Sequence, residues 1–246
     1  MCIIHQYMKY FIVSDVHSFY KELIEALKKA GYDKRNKDHT IVFLGDLFDR
    51  GPGTIELYDF IMSIPKERRI LIKGNHEELY QELLYALMPG YRDFHNGTFD
   101  TFVQIANAMD PSLDDSSGWI YIAKTVRESP ITDFIYSDEW KDYLELDGYI
   151  LTHGYLPIED DHIKKDWRNA SEKEWHSARW DYPLNHIEEM NNLSSILYGK
   201  TLVVGHHGSR YYNNDKSYGI YSGDHLYVID ATTVLSHQVN VLVVEE

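Results

Sequence analysis

The sequence predicts an α/β fold built on a largely parallel β-sheet. Over the first 90 residues, short apolar runs alternate with segments whose apolar residues recur at helical spacing, in the order β-α-β-α-β-α. Such alternation implies right-handed crossovers between parallel strands. The length of 246 residues suits one large α/β domain, so we expect a single domain over residues 1–246.

Three strand–helix pairs are predicted in the first part of the chain. The strands are the apolar runs at residues 10–14, 40–44 and 69–72. The helices that follow them cover residues 19–30, 54–64 and 77–87, and each ends at or near a glycine or proline. Ligands of such sheets bind at the carboxyl ends of the strands, so side chains just beyond these strands are the first candidates for a site.

The rest of the chain is less regular. Residues 91–145 are polar and rich in aromatic residues, with a predicted loop at residues 110–118 between short helices. We treat this segment as a helical and loop insertion, either a cap beside the site or a helical bridge between two half-sheets. Further strands are predicted at residues 149–152, 201–204, 226–229 and 239–244, and alternation in the last two indicates an antiparallel finish.

Composition narrows the class of protein. The 24 basic and 39 acidic residues give a formal charge of −15, so neither a uniformly basic surface nor a nucleic-acid partner is expected. With Cys2 as the one cysteine, any metal would be bound by nitrogen and oxygen ligands. We see no secretory signal and no run of membrane-spanning length, so a cytoplasmic protein without a membrane partner is expected. Met8 is an alternative start, which would make residues 1–7 an extension.

Polar motifs follow the predicted strands. Asp15 and His17 stand two residues apart beyond the first strand, so both side chains are directed to the same side. A carboxylate and an imidazole paired in this way suit a divalent cation. After the third strand, Asn75 offers a neutral oxygen ligand, and the neighbouring His76 is a natural general acid for a leaving alcohol. Glu77 begins a helix, where the helix dipole favours a carboxylate.

The segment after the second strand, residues 45–51, is more specific and reads GDLFDRG. Its two glycines permit tight turns close to a ligand. Asp46 has two oxygens with which to bridge two cations, and Asp49 is placed to orient a histidine. Arg50 offers a planar fork for phosphate oxygens, with a salt bridge to Asp46 or Asp49 as its alternative role.

In this order, the three motifs resemble those of the calcineurin-like metallophosphoesterases. More narrowly, they resemble the phosphoprotein phosphatase family, including its small bacterial and phage serine/threonine phosphatases and the symmetrical diadenosine tetraphosphate hydrolases. The resemblance runs from the first strand to the C-terminal strands, although residues 91–145 carry no motif that aligns. It implies a β-sandwich of two mixed sheets flanked by helices (α/β/β/α) and a metal-dependent phosphatase or phosphoesterase.

The resemblance also implies a dinuclear site. Its two divalent cations would be manganese first, with iron, zinc or nickel as alternatives. Asp15, His17 and Asp46 would bind one cation. The second would share Asp46, and its other implied ligands are Asn75, His153 and His206. Of the pair at residues 206 and 207, the first is thus the ligand, and His207 is expected to support it or lie at the surface.

The substrate-binding roles come from the same resemblance. His76 with Asp49 would form the acid pair, and Arg50 together with Asn75 would contact phosphate. A second phosphate-binding arginine is expected after the fourth motif. Arg179 is favoured for it, and Arg168 is the competitor.

Three positions depart from the family pattern. Lys73 stands where arginine is common, which keeps the charge but loses the bidentate fork. Tyr155 follows His153-Gly154 and is placed to narrow the cleft or stack over it. Residues 230–233 read DATT where many relatives have a Thr-Gly pair. These changes leave the metal ligands in place and bear on the substrate.

The leading hypothesis is hydrolysis of phosphomonoesters, with a phosphoserine- or phosphothreonine-containing protein or peptide, or a small phosphoester, as substrate. The reaction would be in-line attack by a metal-bridging hydroxide. The alternative is a symmetrical dinucleoside polyphosphate hydrolase, since the aromatic side chains of the irregular segments would suit stacking on adenine. A non-catalytic phosphate-binding regulatory module is disfavoured, because every family position that aligns clearly is filled.

Overall fold

Two five-stranded β-sheets pack face to face at the centre of the computed structural model, which describes residues 7–246. Helices cover the outer faces, which confirms the predicted α/β/β/α arrangement. Cys2 and all but the last residue of the proposed extension lie outside the described residues. None of the helices within residues 7–246 is long and apolar enough to cross a membrane.

The strands fall into two mixed sheets and one small hairpin. They are β1 (Lys9–Val13), β2 (His39–Leu44), β3 (Arg69–Ile72), β4 (Trp140–Lys141), β5 (Tyr143–Glu145), β6 (Tyr149–Thr152), β7 (Ile158–Glu159), β8 (His162–Ile163), β9 (Thr201–Val204), β10 (Tyr221–Gly223), β11 (Leu226–Val228) and β12 (Leu242–Glu245). The first sheet has the order β12-β1-β2-β3-β4 and the second β10-β11-β9-β6-β5. In each sheet the inner strands are parallel, so their carboxyl ends lie at one edge.

The helices cover the outer faces of the two sheets or lie in the connections. They are α1 (Tyr20–Ala30), α2 (Thr54–Met62), α3 (Asn75–Tyr85), α4 (Tyr91–Asn96), α5 (Thr98–Met109), α6 (Trp119–Arg127), α7 (Pro130–Ile135), α8 (Glu172–Arg179), α9 (Ile187–Met190), α10 (Leu193–Ile196) and α11 (Thr233–Ser236). As predicted, α1 ends at Gly31, whose φ of +84° is a left-handed cap. Helix α3 begins two residues earlier than predicted, because the Glu77 side chain caps it.

The predicted antiparallel finish holds for β12 and for one side of β11. Strand β12 pairs antiparallel with β1, and β11 pairs antiparallel with the short strand β10. On its other side β11 runs parallel to β9, a pairing that the sequence did not predict. Strands β4, β5 and β10 were not predicted, since two or three residues are too few to show alternation.

Three apolar layers hold the sandwich together. Alternation along β1 sends Phe11 and Val13 toward the helices and Ile12 toward the second sheet. The central layer joins side chains of both sheets and includes Ile12, Val42, Leu44, Leu151, Val203 and Ile229. Because this layer fixes the two sheets face to face, the carboxyl ends of their parallel strands meet in one place.

Residues 91–145 form part of this scaffold. Helices α5, α6 and α7 pack into the same apolar layer as Phe11 on the helical side of the first sheet. The segment also supplies β4 to the first sheet and β5 to the second. This packing favours the helical-bridge interpretation of the segment.

Replacing Phe102 with alanine tests that interpretation. Phe102 is fully buried on α5, with its ring 4.7 Å from Tyr80 and 5.5 Å from Trp119, measured between centroids. Truncation would leave a cavity, so we expect the free energy of unfolding in urea to fall by about 3–5 kcal/mol. The control Leu87→Ala, at a side chain that is 100% exposed, should change it by less than about 0.5 kcal/mol. Equal changes in the free energy of unfolding for the two variants would show that this segment does not pack into the core of the domain.

Candidate metal centre

The carboxyl ends of five parallel strands converge on one cluster of polar side chains. Each of β1, β2, β3, β6 and β9 is followed within three residues by a predicted ligand. These residues, buried except for the partly exposed His206, are Asp15, Asp46, Asn75, His153 and His206. His17 joins them two residues beyond Asp15 and is also buried. The structure thus brings together all six residues that the sequence assigned to metal binding.

Backbone strain is concentrated at this edge of the sandwich. A positive φ is uncommon for residues other than glycine and costs of the order of 1–3 kcal/mol each. The site residues with φ between 48° and 72° are Asp15, His17, Asp46, Asp49, Arg50 and His206. The surrounding packing must hold these residues in place, which is typical of functional sites.

Gly45 allows the two sheets to approach at the site. Its φ is +78°, and an added Cβ would lie 2.5 Å from the Gly74 Cα and 2.7 Å from the His153 Nδ1. Any side chain here would therefore push the second and third motifs apart. The glycines of these motifs are required because the ligand-bearing turns are in contact.

His153 is prepared to bind a cation through its Nε2. Its Nδ1 lies 2.6 Å from the Leu44 carbonyl oxygen and must donate to it. Burial lowers the pKa of His153, so the imidazole is neutral and Nε2 carries a lone pair. That lone pair faces Asn75 Oδ1 at 2.9 Å and Asp46 Oδ1 at 3.3 Å. Three acceptor atoms this close repel one another, and a cation among them offsets the repulsion.

A second group of ligand atoms lies on the other side of the Asp46 carboxylate. His17 donates from Nδ1 to the Phe48 carbonyl at 3.0 Å, leaving Nε2 at 3.8 Å from Asp46 Oδ2. Burial lowers the pKa of His17 and raises the pKa of Asp46. Both shifts reflect the cost of placing a charge in this interior. A bound cation would offset the negative charge of the Asp46 carboxylate.

The ligand atoms therefore form two groups that share one residue. His17, Asp46 and His76 make one group, and Asp46, His153 and His206 make the other, with the atoms of each within 4.8 Å of one another. The sharing of Asp46 agrees with the sequence interpretation. His76 stands in the first group where the sequence interpretation has Asp15. The Asp15 carboxylate instead accepts hydrogen bonds from Ser14 Oγ and from the His206 backbone N–H.

His76 and Asp49 form a hydrogen-bonded pair beside these groups. His76 Nδ1 lies 2.7 Å from Asp49 Oδ2, so its Nε2 faces the cluster. Thr98 and Thr101 donate to the two Asp49 oxygens at 2.7 and 2.8 Å. Burial raises the pKa of Asp49 to about 7, and the two threonine bonds oppose that shift. Sequence reasoning missed both threonines, which lie in the segment without a recognisable motif.

Arg50 lies over the cluster and is exposed to solvent. Its guanidinium donates to His17 Nε2 at 2.9 Å and to His76 Nε2 at 3.1 Å. Among the described residues its side-chain bonds go to these imidazoles and not to Asp46 or Asp49, the alternative partners considered from the sequence. Its exposure leaves it accessible to an anion that approaches the cluster.

Glu77 does more than the sequence indicated. Its buried carboxylate accepts hydrogen bonds from the backbone N–H groups of Gly74, Asp46 and Leu47, at 2.8, 3.0 and 2.9 Å. The side chain thereby ties the second motif to the third. The signal that predicts this role is the capping pattern, with glutamate three residues after the first residue of the turn.

Both arginines considered for a second phosphate contact are engaged elsewhere. Arg179 is 1% exposed and forms ion pairs with three carboxylates. Arg168 pairs with Glu145 through two hydrogen bonds and stacks on Trp167, with its guanidinium carbon 4.3 Å from the ring centroid. Neither hydrogen-bonds to the cluster, so the phosphate role of each stays a prediction.

Burial and ring stacking show where Tyr155 and His207 lie relative to the cleft. Tyr155 does not narrow the cleft as expected, because it is fully buried in the apolar layer outside the second sheet, stacked on His186. A glycine at position 154 and a turn of the chain direct it inward. His207 stacks on Tyr182, with ring centroids 4.0 Å apart, and so supports the wall beside His206.

The two-sheet fold and the two ligand groups that share Asp46 are those of a dinuclear metal-dependent hydrolase. The chain belongs to the calcineurin-like phosphoesterase family, whose model matches residues 8–229. This match extends over every strand of the two sheets except β12, and over all of the candidate ligands.

Named relatives align with a smaller part of the chain. The asymmetrical bis(5'-nucleosyl)-tetraphosphatase of Bacillus velezensis is 37% identical over 84 residues, which are 31% of this chain and 34% of the relative. The symmetrical enzyme of the same name from Coxiella burnetii is 32% identical over 100 residues, 41% of this chain and 32% of the relative. The alignments thus span about a third of the length of these relatives.

Solved structures share the fold at low sequence identity. A cold-active protein-tyrosine phosphatase from a psychrophilic Shewanella species superposes with a TM-score of 0.57 and 15% identity, covering 96% of this chain and 75% of the other. A protein serine/threonine phosphatase from Saccharomyces cerevisiae gives a TM-score of 0.53 and 14% identity, covering 91% and 67%. At these sequence identities the superpositions show a common fold and nothing about activity.

Proposed function

We propose that the protein is a dimetal phosphoesterase that hydrolyses phosphomonoesters of the phosphoserine or phosphothreonine type. The observation that carries the proposal is the pair of ligand groups sharing Asp46, with the His76–Asp49 pair directly beside them. The proposed ligands are those assigned from the sequence: Asp15, His17, Asp46, Asn75, His153 and His206. Nitrogen and oxygen ligands of this kind suit manganese, iron, zinc or nickel, and manganese is our first choice because of the family resemblance.

The side chains around the two proposed metal positions would have separate roles. When bound, the two cations supply charge neutralisation for the phosphoryl group and an activated water. Arg50 would exchange its bonds to the two imidazoles for phosphoryl oxygens, which its planar fork fits, and Asn75 would add a contact to phosphate. With Arg50 moved to the phosphoryl group, His76 would take up a proton from solvent at Nε2 and give it to the leaving oxygen, while Asp49 holds Nδ1 and stabilises the charged ring.

The variant Arg50→Lys isolates the contribution of the fork. Lysine keeps the charge but makes no bidentate contact, so one charge-assisted hydrogen bond is lost. Such a bond contributes about 1.5–3 kcal/mol, so kcat/KM should fall by roughly 10- to 100-fold. The matched control is Arg35→Lys at a surface side chain that is 87% exposed, where no change in kcat/KM is expected. Equal kinetics for the two variants would exclude Arg50 from phosphate binding.

A row of aromatic rings beside His206 supports a second candidate substrate. The rings of Trp180 and Tyr182 lie 6.4 and 6.5 Å from that of His206. Tyr182, His207 and Tyr211 stack in sequence, at 4.0 and 4.7 Å between centroids. Trp180 is 38% exposed and Tyr211 55% exposed, so a planar group has ring surface to stack on. Together with the names of the two bis(5'-nucleosyl)-tetraphosphatase relatives, this favours a dinucleoside polyphosphate as the alternative substrate.

A substrate panel separates the candidates. The protein is freed of metal, reloaded with manganese, and assayed on a phosphoserine peptide, a phosphothreonine peptide and diadenosine tetraphosphate. A higher kcat/KM on the peptides supports the phosphatase proposal. A higher value on the dinucleotide supports the alternative, with ADP as sole nucleotide product if cleavage is symmetrical and ATP plus AMP if it is asymmetrical. Two bound manganese ions without hydrolysis of any substrate would indicate a regulatory module.

A further inference from the structure

Three carboxylates surround the buried guanidinium of Arg179, at the end of α8. Its Nε, Nη1 and Nη2 atoms donate to Glu78 Oε1 at 2.6 Å, Asp142 Oδ1 at 2.6 Å and Glu172 Oε1 at 2.5 Å. Glu78 is itself 8% exposed at the side chain, and its second oxygen accepts from Trp180 Nε1 at 3.2 Å. Each nitrogen of the guanidinium is therefore bound to a carboxylate. We call this group of Arg179, Glu78, Asp142 and Glu172 the Arg179 cage.

One side of the Arg179 cage holds the turn that carries Asn75. Glu78 lies three residues beyond Asn75, within the first turns of α3. Lys73, which immediately precedes the Gly74-Asn75 turn, donates to Glu172 at 3.5 Å. The Asn75 turn thus contacts this group of charges at both ends, closely through the buried Glu78 and more weakly through Lys73, because Glu172 is 68% exposed. Lys73, which stands where arginine is common in the family, thus contacts a member of the Arg179 cage.

The other side of the Arg179 cage holds the two histidines of the second sheet. The last turn of α8 and the residues after it pack on Gly154, where an added Cβ would lie 2.4 Å from the Ala178 carbonyl oxygen and 2.6 Å from that of Asp181. This contact fixes the residue next to His153. The indole ring of Trp180, the first residue after α8, lies 6.4 Å from the His206 ring, measured between centroids.

We infer that Arg179 is a positioning residue for the second metal position, whose proposed ligands include Asn75, His153 and His206. Its guanidinium joins the Asn75 turn on α3 to the turn against which both histidines lie. Moving it to a phosphate group would take from the buried Glu78 carboxylate its contact with a guanidinium and leave it only His176 Nδ1 at 2.8 Å and Trp180 Nε1 at 3.2 Å, which is unfavourable for a buried charge. The inference rests on the proposed dimetal function and replaces phosphate contact with ligand placement as the role of Arg179.

Two conservative variants test the inference by isothermal titration of metal-free protein with manganese. Arg179→Lys keeps the charge but loses the fork, and Glu78→Gln removes the facing carboxylate while Arg179 keeps two partners. We expect each to weaken the second manganese site by roughly 10- to 100-fold, as changes behind metal ligands do, and to leave the first within twofold. Arg168→Lys is the matched control, because its bidentate partner Glu145 belongs to a separate surface pair. This control should bind both ions as the unaltered protein does.

Inhibition by inorganic phosphate at saturating manganese distinguishes the two roles of Arg179. The inference predicts that the inhibition constant changes less than twofold in both variants. It is overturned if Arg179→Lys raises that constant tenfold or more with both metal affinities intact, or if neither variant changes either quantity. If Arg179→Lys does not fold, Glu78→Gln decides alone. Failure of the proposed function looks different, since the unaltered protein itself would then bind fewer than two manganese ions or hydrolyse no phosphoester.

Discussion

Replacing Asp46 with asparagine is expected to abolish binding of both cations and to lower kcat by about 10³-fold or more. Asp46 is the residue common to the two ligand groups, with Oδ1 3.3 Å from His153 Nε2 and Oδ2 3.8 Å from His17 Nε2. Asparagine retains one oxygen and turns an amide N–H₂ toward one of the groups. Metal ions contribute several kcal/mol to the stabilisation of the transition state, and each 1.36 kcal/mol is a factor of ten in rate.

The measurement is manganese content after dialysis, alongside kcat on the best substrate of the panel. Asp59→Asn, at an exposed position on α2, removes the same charge without touching the cluster and should bind two ions with normal turnover. Retention of both ions by Asp46→Asn would show that the two groups do not share this carboxylate.

Replacing His76 with asparagine is expected to lower kcat by roughly 10²–10⁴-fold while both manganese ions remain bound. Asparagine has no titratable proton to give to the leaving oxygen. The loss should be large for a phosphoserine peptide, whose alkoxide leaving group needs a proton. It should be small for p-nitrophenyl phosphate, whose leaving group is stable as an anion. This dependence on the leaving group separates an acid from a residue that only packs.

The metal content of the His76→Asn variant tests whether His76 is a metal ligand, the other role that its position allows. Its Nε2 lies 3.9 Å from Asp46 Oδ2, within the first ligand group. If the variant loses one manganese ion and its kcat falls equally with both substrates, His76 is a ligand rather than the acid. His162→Asn, at a side chain that is 71% exposed on the β7–β8 hairpin, is the control and should behave as the unaltered protein.

The sequence predicts the fold best where a strand is long enough to show its pattern. The strands at residues 69–72, 149–152 and 201–204 match their predicted bounds, because each is an apolar run with a turn signal after it. The edge strands β4, β5 and β10 carry no such pattern, since pairing with a neighbour and not composition makes them strands. The pairing of β11 with β9 also depends on tertiary contacts that no local signal encodes.

The site divides in a similar way. Its proposed metal ligands stand directly after the parallel strands, so sequence order alone places them at one edge of the sandwich. The residues that hold them come from elsewhere in the chain: Thr98 and Thr101 support Asp49 across about 50 residues, and Glu78 meets Arg179 across 101. Such long-range partners carry no motif, because a threonine or a glutamate on a helix is ordinary in most sequences.

A crystal of the protein grown with manganese tests the central claim most directly, through an anomalous difference map at the manganese edge. The account predicts two peaks about 3.5–4 Å apart, one on each side of the Asp46 carboxylate. The one between Asp46 and Asn75 would be ligated by His153 and His206, and the other by Asp15 and His17. A single peak, or two peaks that do not share Asp46, would contradict it.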